Sequence, residues 1–197
     1  MGSDLPLNKM SIEKWNASVQ FPTNSDYICR VIGADFTPSS KGNPMLVLEF
    51  EVVKPEVVDI GEKQFNIAGV TCKSYFTTEV TNQGEDNVAK TESCRNRLTG
   101  EEGLFTVMGI DKSTIDWDNI DTKPFLGKLV YCLMEPDIEE RRKNPTPEQI
   151  AKAKAANKRA EGDVMVNPIT GKPLVNYWPK IRQIFGLAPS DGMQVAF

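Results

Sequence analysis

The 197-residue chain contains no histidine. Its absence removes the commonest general base and, with it, any Ser-His-Asp arrangement. The four cysteines, Cys29, Cys72, Cys94 and Cys132, form no CxxC pair of the kind zinc favours, and a nucleophilic cysteine usually leans on a histidine. Three of them lie in strand-like runs, where cysteine acts as a small buried hydrophobe. The tightest acidic pair, Asp116-Trp117-Asp118, sits in the loop-like stretch STIDWDNIDTKP and reads as solvated. Neither GxGxxG nor GxxxxGK[ST] occurs, so no cofactor is expected and a carboxylate–metal enzyme is the weakest of the readings.

What remains is a chemistry of cations and flat rings. An unpaired polynucleotide is held by cations along its phosphates and by aromatic faces on which bases stack. Candidate cations are Lys41, Lys73, Lys128, Lys180 and Arg182, and candidate platforms are Tyr75 and Trp178. If Tyr177 and Ile181 face the core, then Trp178, Lys180 and Arg182 point outward together. The plainer alternative is that these rings pack across strands and these lysines are merely solvated. Arg95 and Arg97 read as decoration on a helix.

The net charge of −4 argues against a protein that coats duplex DNA by bulk charge, yet the charge is unevenly distributed. Between Arg141 and Arg159 stand seven cations, Arg141, Arg142, Lys143, Lys152, Lys154, Lys158 and Arg159, against Glu148 alone. This segment reads as an exposed lysine-rich helix, as a lid over bound DNA, or as a contact to a second subunit; Arg141-Arg142-Lys143 favour phosphate contact.

These residues need elements to position them. Strands are expected at Tyr27–Phe36, Met45–Val53, Gly69–Thr78, Lys128–Glu135 and Val175–Phe185. The tip TPSSKGNP, rich in residues that accept positive φ or remove a backbone donor, makes a hairpin of the first two. In the second strand Leu46, Leu48, Phe50 and Val52 alternate with Glu49 and Glu51; in the third, Val70, Cys72 and Phe76 alternate with Thr71, Lys73, Tyr75 and Thr77. Lys54-Pro55 ends the second strand and opens a loop. Helices are expected over 87–99, stopped by Gly100, and near 101–109. Thr146-Pro147-Glu148-Gln149 is a capping box that starts a helix running to about Arg159 or Ala160, before Gly162.

The order of strands and helices describes a mainly β fold: a five-stranded OB-fold barrel with a helix between strands three and four and a helical insertion between strands four and five. Its expected organisation is an N-terminal arm over 1–26, the barrel over 27–186 with a charged insertion over 136–173, and a tail over 187–197. No apolar run reaches the length of a membrane span, and MGSDLPLNKM lacks the plan of a signal peptide, so a soluble, cytoplasmic protein is expected.

YICRVIGADFTPSSKGNPMLVLEFEVV, then Lys73-Ser74-Tyr75-Phe76, GLFTVMGI, PFLGKLVYCLM and NYWPKIRQIFG, resemble phage-encoded single-stranded DNA-binding proteins of the small-barrel type. The resemblance covers roughly residues 25–135 and the late strand. It implies sequence-tolerant binding of single-stranded DNA, with RNA as a second ligand, in phage replication or recombination within the host cytoplasm. It also implies docking of replication or recombination proteins through the tail. LAPSDGMQVAF keeps a terminal Phe197 but only one acid, Asp191, and the charged insertion lies outside the family pattern. The alternative function is a non-catalytic adaptor or inhibitor built on a β-barrel.

Overall fold

The computed structural model describes residues 12–81 and 86–189. It is mainly β, with two sheets. A five-stranded sheet has the order β6-β3-β2-β7-β8, from β2 (Asn24–Pro38), β3 (Pro44–Lys54), β6 (Thr71–Thr77), β7 (Leu129–Glu140) and β8 (Val175–Leu187). A small sheet joins β1 (Glu13–Lys14), β5 (Lys63–Asn66) and β4 (Val57–Ile60). Among the described residues there are also three α-helices, α1 (Asn87–Thr99), α2 (Leu104–Val107) and α3 (Pro147–Ala155), and two single 3-10 turns.

β2 is the spine of the large sheet. It pairs antiparallel with β3 from Ile28 to Pro38 and with β7 from Asn24 to Arg30, so the two ladders overlap over only a few residues. A register shift between Val31 and Gly33 lets the strand bend between its partners. Gly33 is suited to that bend, because a Cβ there would lie 3.3 Å from the Glu49 Cβ. The alternation read from sequence matches the burial: Leu46, Leu48, Phe50 and Val52 are buried, while Glu49 and Glu51 are half-exposed. Removing such side chains from water supplies the main driving force for the fold.

Several expectations need correction. Among the described residues the strands number eight, five of which share the large sheet, and no ladder joins its two edges, β6 and β8, so no closed barrel is seen there. The reason lies in what occupies the seam: Leu98 of α1 and Leu104 and Val107 of α2 line the same gap as both edges. The loop expected after Lys54-Pro55 is instead the β4–β5 hairpin, turned by Gly61 at φ +66 and anchored by buried Phe65. β1, within the expected N-terminal arm, pairs in parallel with β5.

The first compact unit holds residues up to Trp15, Pro22–Glu135 and Pro179 onward; the second holds Asn16–Phe21 and Pro136–Trp178. In the second, Thr146 Oγ1 accepts from the Gln149 N–H and Gln149 Oε1 accepts from the Thr146 N–H, the expected capping box. The helix ends earlier than expected. Asn157 takes φ 51, its N–H reaches Lys154 O and the Lys158 N–H reaches Ala153 O, a left-handed cap that stops α3 at Ala155. Gly162 serves a different purpose from a helix stop: a Cβ there would fall 1.9 Å from the Lys143 carbonyl oxygen, so only glycine admits that backbone approach.

Candidate nucleic-acid interface

The site is built at the unclosed seam of the first unit. On β6, Lys73, Tyr75 and Thr77 share one parity and lie opposite Glu49, Val47 and Met45 of β3; Lys73 and Tyr75 are exposed, whereas Val47 is buried. Tyr75 is 63% exposed, as a ring on the polar face of an edge strand should be. On β8, Pro179, Ile181 and Ile184 are buried, while Trp178, Lys180, Arg182 and Gln183 are exposed. The alternation therefore slips between Ile181 and Ile184, which leaves both Arg182 and Gln183 at the surface.

The two edges enclose a cleft of about 470 Å³. Its floor is apolar, made by Phe76, Leu98, Leu104, Ile181 and Ile184. Lys73, Arg97, Lys180 and Arg182 also line it, against a single acid, Glu102, and Tyr75, Ser74, Thr77 and Gln183 complete the polar part.

α1 is fixed by Arg95, whose Nε–H donates to Thr78 O at 3.3 Å and whose guanidinium pairs with Glu79 at 3.3 Å while lying 4.9 Å over the Trp117 ring. Buried Thr78 in turn donates its hydroxyl to Pro44 O. This anchor directs the last turn of α1 into the seam and puts Arg97 in the cleft, where it makes no ion pair among the described residues. Sequence reasoning assigns Arg97 to helix decoration and so misses it. Its position beside Leu98, the one buried residue of α1, is the available signal.

Lys73 and Arg182 have carboxylate neighbours. Lys73 Nζ lies 3.5 Å from Glu49 and Arg182 Nε 3.7 Å from Glu135, all of them partly exposed. Exposed pairs of this kind are worth only about 0–1 kcal/mol, so an incoming phosphate can exchange for the carboxylate.

Thus Lys73, Tyr75, Lys180 and Arg182 come together around one cleft. Lys41 and Lys128 do not line it. Lys41 is exposed on the hairpin tip, which is tied down where Asn43 Oδ1 accepts from the backbone N–H and hydroxyl of Thr81. Lys128 is half-buried and its carbonyl accepts from the Val31 N–H.

Trp178, Arg141, Arg142 and Lys143 belong to the second unit. Trp178 is 45% exposed and its indole N–H donates to Glu139 at 2.8 Å, which fixes the ring edge. Arg141 donates to Asn176 at 2.7 Å. Arg142 is a staple: it pairs with Glu140 at 3.1 Å and Glu161 at 3.3 Å and donates to Gly162 O. Lys143 and Arg159 line a second cleft of about 680 Å³ together with Glu139, Glu140 and Glu161, so cations and acids are mixed there. The tail residues expected to dock partner proteins lie largely outside the described residues.

Comparison of the chain with protein-family models, with curated proteins and with solved structures finds no match. No helix among the described residues is long and apolar enough to cross a membrane.

Proposed function

We propose that this protein binds single-stranded DNA without strong sequence preference and without catalysis, in phage replication or recombination. The observation that carries the reading is the convergence of Lys73, Tyr75, Lys180 and Arg182, with Arg97, on one apolar-floored cleft. Cations next to an exposed ring and apolar surface are the combination that unpaired nucleic acid requires.

The strand order supports an OB-type scaffold. β2, β3 and β6 form a meander, α1 follows, β7 returns to the free side of β2, and β8 lies beside it. Closing that arrangement would join β6 to β8, the two edges of the cleft, which supports reading the large sheet as a partly open five-stranded barrel.

An adaptor remains the second reading. The second unit exposes Ile138, Val166 and Ile169, the last at 92%, which suits contact with a protein. Titrating a fluorescent oligonucleotide by anisotropy separates the two. Binding at low salt should weaken as salt rises, and replacing Lys180 and Arg182 with Ala should lower the salt slope by about 0.7 for each phosphate that is no longer neutralised. If no binding occurs at low salt, the adaptor reading stands instead.

A further inference from the structure

Resting on the single-strand reading, we infer that the cleft between β6 and β8 is a base slot: one unstacked base enters it from the strand while the flanking phosphates lie on Lys73, Lys180 and Arg182. The cleft differs from a flat stacking surface in having depth. Its walls combine outward residues of β6 (Lys73, Tyr75, Thr77) with inward ones (Ser74, Phe76), so it cuts from the sheet's outer face towards the core.

A cleft of about 470 Å³ with an apolar floor and a few convergent polar groups lies within the range of small-molecule sites, roughly 300–1,000 Å³. Phe76, Leu98, Leu104, Ile181 and Ile184 offer apolar contact to the faces of a ring. Ser74, Thr77, Arg97 and Gln183 offer hydrogen bonds to its edge, and Tyr75 stands where the neighbouring base can stack. The alternative occupant is an extended peptide pairing with the strand edges. Four cations against one acid favour a ligand with a negative charge on every unit, which a polynucleotide has and a peptide in general lacks. The slot also gives a physical basis for rejecting duplex, since extruding a base costs least when it is already unpaired.

The experiment compares a twelve-nucleotide oligothymidylate with a deoxyribose-phosphate strand of equal length that has no bases, both measured by anisotropy. Wild-type protein should bind the thymidylate at least about tenfold tighter. Val107, half-buried in the cleft wall, is replaced by Trp to fill the slot, with a thermal melt to check folding. V107W is expected to weaken the thymidylate complex about tenfold and leave the base-free strand unchanged. Unaltered thymidylate binding, or equal weakening of both strands, overturns the slot while single-strand binding stands. Should V107W fail to fold, Gln183→Leu, at an exposed position, is read on the same two strands: selective loss supports the slot and no loss overturns it. Failure of the wild-type protein to bind either strand at low salt removes the proposed function itself.

Discussion

At the level of single residues, Lys73 and Arg182 in the cleft are held in check by carboxylates. Glu49 faces Lys73 across the β3–β6 ladder, and Glu135 sits beside Arg182. A phosphate that takes over either cation leaves the carboxylate uncompensated and close to it. Glu49→Gln is therefore expected to tighten single-strand binding by about two- to five-fold, the worth of an exposed ion pair, and to leave the melting temperature nearly unchanged. Weaker binding in that variant, measured by the same anisotropy titration, would mean that Lys73 is a scaffold residue rather than a phosphate contact. The ring and cation on β6 were legible from period-two alternation, since Lys73 and Tyr75 share the parity opposite to Cys72 and Phe76. Arg97 was not, because a helix of weak apolar periodicity does not announce which side of its last turn meets the sheet.

For the elements, local signals succeeded where the chain's own chemistry sets the boundary. α1 runs over Asn87–Thr99 as its pattern and Gly100 imply, and Thr146 with Gln149 starts α3 by satisfying two orphan donors. They failed where a distant backbone sets it. Gly162 looked like a helix stop and is instead the point where residue 162 meets Lys143, whose N–H also donates to Asp163 O at 2.9 Å. Gly162→Ala should force these segments apart and cost roughly 1–3 kcal/mol. Native-state hydrogen exchange checks this: protection should fall over 136–178, and unchanged protection there would remove the close-approach argument. The β4–β5 hairpin was missed for a related reason. Four-residue strands carry too little pattern to outweigh the turn formers around them, and the pairing of β5 with β1 supplies the rest.

On the scale of the whole molecule, the core of the first unit is notable for its sulfur. Cys29 and Cys132 Sγ atoms lie 3.3 Å apart, and Met134 Sδ is 3.6 Å from Cys29. The Cys132 hydrogen bond and burial push the Cys29 thiol far above its ordinary value; burial pushes Cys72 up to about 12 and raises Tyr27 well above the phenol range. All three groups are held neutral by the fold but can ionise in the unfolded chain. Their contribution is fully present below the ordinary thiol value of 9.0 and is lost as pH rises towards the folded values, because the unfolded state then binds fewer protons. Thermal melts should hence be flat from pH 7 to about 9 and fall steadily above it. A melting temperature independent of pH up to about 11 would contradict the buried, neutral state of these groups. In the native protein Cys94, half-buried, should react with a thiol reagent well before the other three.

By itself the sequence determined the parity of β3 and β6, the end of α1 at Gly100, the capping box that starts α3, and the types of residue available for binding. Those properties depend on neighbours within a few positions, where alternation and capping act directly. Only the tertiary structure decided that β6 and β8 remain unpaired, that α1 delivers Arg97 between them, and that Lys41 and Lys128 do not line the cleft. These outcomes turn on which side chains fill a gap between segments about a hundred residues apart, and a shape of that kind emerges from packing the finished elements rather than from any one stretch of chain.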